Sequence, residues 1–291
     1  MLYTQKTFQE KKATLYLVAT PIGNMSDLTF RALDILKQVD YILAEDTRQA
    51  YKILKFYQFN NNLLSLHQFN EKQRISKVLS LLKQNKNLAL ISNAGTPLIS
   101  DPGLLLVRAV QSSGFYVCSV PGASAVITAF SISTFDLPFL FLGFLPKKKI
   151  QKEKILLKYR FFQGTLIFFE SPMRLLDTLL LIQKHYIRRN ISLSKELTKK
   201  FETIIYGDIN EILKEKEKIS FKGEYVITID KNLFLSTYQD LSLEEHFLLL
   251  LKHGYSKKEA LKCLSKDRNI SKKQIYHYLN IPRFDQLENK E

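Results

Sequence analysis

Cysteine is scarce in this 291-residue chain: Cys118 and Cys263 stand far apart, and neither belongs to a CxxC pair or a Cys/His cluster. That spacing suggests no zinc site and no disulfide framework. Histidine is scarce as well, and His67, His185, His246, His253 and His277 are scattered, which reads as surface or capping positions rather than ligands. No metal is expected. No apolar run approaches the roughly 18 residues of a membrane span. The N-terminus is polar, with Lys6, Lys11 and Lys12, and lacks the apolar stretch of a signal peptide, so a cytoplasmic protein is expected. Neither GxGxxG nor GxxxxGK[ST] occurs, and the usual dinucleotide and P-loop readings fail with them. The last shortage is acid: 28 Asp and Glu face 43 Lys and Arg, a formal charge of +15. With 45% apolar and 24% charged residues the chain is otherwise an ordinary globular one. The excess of base points to an acidic partner, nucleic acid before an anionic membrane surface. A lysine-favouring genome would produce the same composition.

From residue 14 to 140 short apolar runs alternate with segments of helical period. Strands are expected at Leu15–Ala19, Tyr41–Ala44, Leu63–Leu66, Leu88–Ile91 and Tyr116–Val120. Helical spacing such as Ala32, Leu33, Leu36 and Val39, or Ile75, Val78, Leu79 and Leu82, separates them. Such alternation predicts βαβ units on a mainly parallel sheet, whose ligands bind beyond the carboxyl ends of the strands. At FLFLGFLPKKK (139–149) a hydrophobic strand ends in Pro146 and three lysines, which reads as a domain junction. Beyond it come a strand at Thr165–Phe169, a helix from about Met173 to His185, and strands near Ile191–Leu193, Thr203–Tyr206 and Tyr225–Ile229. With fewer helices between them, these last strands predict a mixed sheet with antiparallel pairs.

Residues 241–283 differ from the rest. Ser242-x-x-Glu245, Ser256-x-x-Glu259 and Ser271-x-x-Gln274 are three capping boxes in succession, each opening a short helix. Nine Lys and Arg lie between Lys252 and Arg283, opposed only by Glu259 and Asp267. Basic helices carrying Tyr276, His277 and Tyr278 suit a phosphate backbone with stacking partners, although a dimerisation or packing bundle with a solvated lysine face has the same pattern.

Four loops follow strands in the first half. The most unusual is SNAGTPLISDPG (92–103), with two glycines, two prolines and an Asp directly after a buried strand. Ordinary connections of this kind take about 2–6 residues. Here Pro97 and Pro102 stiffen the chain, while Gly95 and Gly103 permit positive φ or the close approach of a ligand. With Pro21 and Pro97 in the loops, a helix N-terminus gripping a pyrophosphate is a poor reading. A ligand held by backbone groups beside small residues such as Gly122, Ala123, Ser124 and Ala125 is a better one.

TPIGN (20–24), EDTR (45–48), AGTPLISDPG (94–103), PGASA (121–125), FESPMR (169–174), ELTK (196–199) and KGEYV (222–226) occur in the order found in tetrapyrrole-methylase-like S-adenosylmethionine (SAM) enzymes. The chain resembles that superfamily, and TPIGN in place of a GxGxGD-like first loop favours its ribosomal-RNA branch. The resemblance implies two α/β domains, 13–140 and 141–231, with SAM in the cleft between them, a basic helical RNA-contacting domain at 241–283, and a homodimer. The implied reaction is SAM-dependent 2′-O-methylation of a cytidine ribose in the decoding region of 16S (small-subunit) rRNA. A non-catalytic RNA-binding ribosome factor and a tetrapyrrole methyltransferase are the alternatives.

Carried over by motif, the resemblance places SAM against Ile22, Asn93, Gly95, Thr96, Pro97, Ile99, Gly122, Ser124 and Ala125. Phe168 or Phe169, Leu197 and Gly223 complete the pocket from the second domain. Of the charged residues near the cleft, Glu45, Asp46, Arg48, Asp101, Glu170, Arg174 and Glu196, four are the expected acid–base and positioning set: Glu45, Asp46, Arg48 and Glu170. Arg48, Arg174, Lys257, Lys258, Lys272, Lys273 and Tyr276 are expected on RNA, although Arg174 pairing with Glu170 and the two acids opening a helix are the plainer readings. The family usually has Asp where Asn93 stands; capping of the loop by Asn93 is expected, and loss of a catalytic charge is the alternative.

Overall fold

The computed structural model describes residues 4–7, 9–160, 162–186, 189–231, 241–252 and 255–279. His253 and residues 280–283 of the basic tail lie outside them. The first lobe runs β1 (Thr14–Val18), α1 (Phe30–Gln38), β2 (Tyr41–Ala44), α2 (Thr47–Phe56), β3 (Asn62–Ser65), α3 (Glu71–Lys83), β4 (Leu88–Ile91), α4 (Leu104–Ser112), β5 (Tyr116–Val120) and α5 (Ala125–Ser133). Its five strands pair in the order β3-β2-β4-β1-β5, all parallel. LALI of β4 is buried on both faces, as a central parallel strand requires. One face packs Val78, Leu82, Leu106 and Val110 of α3 and α4. The other packs Leu36, Ala50 and Leu54 of α1 and α2. Register aligns Val18 with Ile91 and Val120, and Ala44 with Ile91 and Ser65. All five strands therefore end at one edge, and the Gly/Pro loops leave from it together. At the far edge the Gln5 side chain bonds both the N–H (3.0 Å) and the C=O (2.9 Å) of Val117, occupying part of the open side of β5.

The second lobe contains β6 (Phe139–Phe144), α6 (Lys149–Tyr159), β7 (Thr165–Glu170), α7 (Pro172–His185), β8 (Asn190–Lys195), β9 (Thr203–Asp208), α8 (Ile209–Lys214) and β10 (Tyr225–Ile229). The sheet order is β6-β7-β10-β8-β9, with β6 and β7 parallel and the other pairs antiparallel, the mixed sheet expected. Leu156, Leu175, Leu179, Ile182, Ile209 and Ile212 cover one face from α6, α7 and α8. The opposite face receives Val126 and Ala129 of α5, together with Ile22, against Ile167 and Val226. A helix of the first lobe thus lies on the sheet of the second. α6 begins on the lysine run itself, where the sequence suggested only a junction.

The tail folds as α9 (Leu243–Lys252), α10 (Lys257–Arg268) and α11 (Lys272–Tyr278) around Phe247, Leu250, Ala260, Leu261, Leu264 and Ile275. All three capping boxes form: each Ser hydroxyl accepts the N3 amide, and each Glu or Gln side chain accepts the Ser amide. Arg160, at the end of α6 and only 5% exposed, pairs with Asp267 and reaches Cys263 at 3.3 Å, locking the bundle to the second lobe. His246 is buried beside Arg268 (3.3 Å) and, by burial and that cation, is pushed down to about 4. His185 is also buried, on Glu153 at 2.7 Å. The surface reading of these two histidines is thereby corrected; a neutral imidazole is apolar enough to fill a core position. No helix among the described residues is long and apolar enough to cross a membrane.

Candidate active site

Where the two lobes face each other, a cleft of about 500 Å³ opens at the carboxyl edge of the first sheet. That is within the range for a nucleoside-sized ligand. The loops after β1 and β4 are tied by a two-way bridge, Thr20 N–H to Gly95 O (2.9 Å) and Gly95 N–H to Thr20 O (3.0 Å). The Ser92 hydroxyl donates to the same Gly95 carbonyl at 2.8 Å. Thr96 Oγ1 then donates to Ala123 O (3.2 Å), joining the PGASA loop, where Ser124 caps α5. Three loops are therefore one rigid wall. Gly95 makes this possible at φ +78, and a Cβ there would lie 3.2 Å from Ile22 Cγ2. On the opposite wall Glu196 (φ 51) and Gly223 (φ +90) bring the ends of β8 and β10 together.

Of the residues expected on SAM, the cleft gathers Ile22, Asn93, Gly95, Thr96, Ile99, Ser124, Ala125, Phe169, Leu197 and Gly223. Three lie elsewhere. Pro97 is buried behind the loop; Gly122 faces Ala19, whose Cβ would stand 3.0 Å from an added Cβ; Phe168 belongs to the core under α7. Strand alternation decides between the two phenylalanines, because only one of consecutive residues can face the cleft. Sequence reading missed Phe144, 60% exposed in the cleft wall, and Ser194, whose buried hydroxyl has no partner among the described residues. Exposed Ile99 and Phe144 offer apolar surface, and Ser194 an orphaned hydroxyl, so a ligand with both a flat apolar part and polar groups fits. SAM has that composition. A polar residue at a strand end that alternation turns away from the helices was the available signal for Ser194.

The expected acid–base residues separate. Glu170 lines the cleft, but its Oε1 accepts Arg174 (2.6 Å) and the Ser171 amide (2.8 Å), and its Oε2 accepts Lys152 (2.8 Å) and Thr178 (2.6 Å). Saturated in this way, Glu170 is an anchor and not a base. Arg174 is correspondingly committed, to Glu170, to Ser171 Oγ (3.0 Å) and to Leu145 O (3.0 Å), and is not free for a phosphate. Asp46 caps α2 by accepting the Arg48 amide at 2.9 Å. Hydrogen bonds from the Arg48 guanidinium and that amide hold its carboxyl at about 2, too acidic to take a proton from a hydroxyl. Arg48 is 87% exposed and Glu45 is exposed; neither they nor Asp46 line the cleft. Asn93 joins this edge to it: Oδ1 accepts the Asp46 amide (3.3 Å) and Nδ2 donates to Glu45 (3.1 Å). Asp101 lines the cleft, and burial followed by the charge of Glu45 pushes its carboxyl up to about 6. On the tail, Lys257, Lys258, Lys272 and Lys273 are exposed, and Tyr276 is half-buried.

The model of the tetrapyrrole (corrin/porphyrin) methylase family matches residues 14–213. The ribosomal RNA small subunit methyltransferase I of Bacillus subtilis (strain 168) is 39% identical over 290 residues, covering 97% of this chain and 99% of that protein. Among solved structures, diphthine synthase matches with a TM-score of 0.61 at 11% identity, over 75% of this chain and 90% of its own. The uroporphyrin-III C-methyltransferase of Thermus thermophilus, complexed with S-adenyl homocysteine, matches with a TM-score of 0.54 at 13% identity, over 75% and 97%. At such identities these two structures speak for the fold alone, the two-lobed α/β architecture expected from the loops. The sequence similarity extends through the tail as well. This chain therefore belongs to the tetrapyrrole methylase family and, within it, to the ribosomal RNA small subunit methyltransferase I group.

Proposed function

We propose that this protein is a cytoplasmic SAM-dependent methyltransferase that methylates the ribose 2′-oxygen of a cytidine in the decoding region of 16S rRNA. The observation that carries the reading is the near-full-length similarity to the Bacillus subtilis enzyme, which includes both walls of the cleft and the basic tail. SAM supplies an electrophilic methyl group on a sulfonium, with a neutral thioether as leaving group. The chain has to hold the donor, align the ribose oxygen behind the methyl carbon and provide for the hydroxyl proton. The 13–140 and 141–231 units form the donor cleft and 241–283 holds the RNA. A homodimer accords with the outer edge of β9, which pairs with no further strand among the described residues and where Ile204 and Tyr206 are exposed.

The test combines purified protein, methyl-labelled SAM and small ribosomal subunits, with a tetrapyrrole as the competing acceptor. Label is expected in RNA, at a nucleotide whose 3′-phosphodiester resists alkali because its 2′-oxygen is blocked. SAM binding without transfer would support a non-catalytic ribosome factor, and transfer to the pigment alone a small-molecule enzyme.

Two substitutions probe the donor wall. Gly95→Val forces a β-branched residue into positive φ, a conformation costing roughly 1–2 kcal/mol for an L-residue, and directs its methyl groups at the cleft. SAM affinity measured by calorimetry is expected to fall at least about tenfold while circular dichroism stays native; an unchanged affinity would remove this loop from the site. Asn93→Asp retains the acceptor for the Asp46 amide, loses the donor to Glu45 and adds a like charge. Methyl transfer at pH 8 is expected to stay within about threefold. A gain on the order of 100-fold, the range of a restored general base, would show that the chain lacks a catalytic charge there.

A further inference from the structure

The outer strand of the second sheet changes face before it reaches the cleft. Leu140 and Leu142 of β6 pack on the core beneath α7, while Phe139 and Phe141 pack on the opposite face. Strict alternation would send Phe144 to the α7 side with the two leucines. The register with β7 shifts instead: Phe141 stands opposite Ile167 and Phe144 opposite Phe169, so three steps of β6 match two of β7. Gly143, at φ +65 with open space where a Cβ would be, takes up the extra residue. Such a bulge re-aims the side chains beyond it. Its result here is a group of rings, with Phe141 and Phe144 both against Phe169 at centroid distances of 5.0 and 5.1 Å. Phe141 and Phe169 are half-buried, and Phe144 is the exposed one, in the cleft wall.

Beyond the ring the chain is firmly held and basic. Leu145 is buried, and its carbonyl accepts the Arg174 guanidinium at 3.0 Å, from an arginine itself fixed to Glu170. Pro146 restricts the next step. Lys147, Lys148 and Lys149 follow, all exposed and without an ion-pair partner among the described residues. Three residues of chain reach at most about 11 Å, so these lysines flank whatever rests on Phe144. The first turn of α6 holds no acid. Glu170 is taken up by Lys152 and Arg174, and Glu153 of α6 is turned to Lys184 and His185.

Those charges decide which of the two substrates the ring receives. SAM carries a sulfonium, an ammonium and a carboxylate, one net positive charge, and three lysines repel it. RNA is a polyanion, and its unstacked bases rest on aromatic side chains. The loops tied through Gly95 and Thr96, with their small residues, remain for the donor. We propose that Phe144, Lys147, Lys148 and Lys149 form the acceptor site: the base of the target cytidine, unstacked from the RNA, lies on the Phe144 ring while the lysines hold the phosphates beside it. The proposal rests on the function proposed above, and it puts RNA on the second lobe as well as on the tail. Stacking tolerates every base, so this site orients the ribose toward the donor and leaves the choice of nucleotide to other contacts.

The experiment measures binding and transfer separately on the full chain, with small ribosomal subunits as acceptor. Phe144→Ala should lower subunit affinity, and with it kcat/KM for subunits, by about 5- to 150-fold, the effect of losing one stacked base. Phe144→Trp should restore most of the loss. SAM affinity by calorimetry should stay within about twofold in both. Replacing Lys147, Lys148 and Lys149 by Gln should weaken subunit binding and lower its log–log salt slope by about 2 units, at roughly 0.7 per contact to a single strand. A Phe144→Ala protein that keeps its subunit affinity overturns the proposal, and a loss of SAM affinity in its place would assign the ring to the donor. A salt slope that the lysine variant leaves unchanged overturns it as well. A parent that binds subunits and transfers no methyl group overturns the function proposed above, and the binding arm then decides the RNA site by itself. A parent that binds no subunit overturns both.

Discussion

Glu170→Gln is expected to lower the unfolding free energy by about 3–5 kcal/mol, the usual consequence of removing one partner from a buried ion pair. Lys152 and Glu170 are 3% and 0% exposed, and Arg174 adds a second cation to the same carboxylate. The neutral amide leaves two positive groups facing one dipole, and the nearer of them to the core, Lys152, has almost no access to water. Urea denaturation reads the loss. The effect should be largely structural: Glu170 ends β7, directly after the cleft residue Phe169, and ties it to α6 and α7. In the folded fraction, methyl transfer per bound SAM is therefore expected within a few-fold of the parent. The opposite outcome, full stability with a lost rate, would return Glu170 to the role of base. Adding Lys152→Met to Glu170→Gln should recover part of the stability, since an apolar side chain in place of the stranded ammonium removes much of its desolvation cost.

The same cluster shows why part of the second lobe was hard to read from sequence. In α6 the inward positions are Lys152, Leu156 and partly buried Tyr159, so the stripe that marks a helix has a lysine in its apolar row. The helix also starts within KKK, a run that ordinarily signals solvent. In the first lobe the central strand LALI is buried throughout and the helices carry apolar rows such as Val78, Leu81 and Leu82 or Leu106, Val107 and Val110, and Tyr41–Ala44, Leu88–Ile91 and Tyr116–Val120 came out residue for residue. The cleft was legible through its glycines and prolines, because close backbone approach leaves a trace in residue type. Charge roles left none. EDTR and FESPMR each place acid next to base, and only three-dimensional partners distinguish a cap such as Asp46 or an anchor such as Glu170 from a free carboxylate such as Asp101. Asp101 has neither neighbour nor spacing to single it out; it lines the cleft and has no ion-pair partner among the described residues.

Replacing Lys257, Lys258, Lys272 and Lys273 by Gln is expected to flatten the salt dependence of RNA binding while leaving the tail at least as stable. All four occupy the first two helical positions after Ser256 and Ser271, where the helix dipole disfavours positive charge. Each removal there relieves up to a few tenths of a kcal/mol. Lysines at such positions, exposed and without an ion-pair partner among the described residues, add nothing to the bundle by charge, and this is the ground for expecting them on a polyanion. If every one meets a phosphate, the log–log slope of affinity against salt should fall by about 3 units, at roughly 0.7–0.9 per contact. SAM affinity should not move, because the donor cleft lies in the two lobes. Deleting the tail would be a poorer test: it strips Asp267 from Arg160, which is 5% exposed at the junction, and would unsettle the second lobe by itself. The neutralised variant avoids that, since Arg160, Asp267 and the capping serines are untouched. A bundle that serves only for packing or dimerisation predicts an unchanged slope at every salt concentration, and a salt titration with small ribosomal subunits that returned one would refute the RNA-docking role.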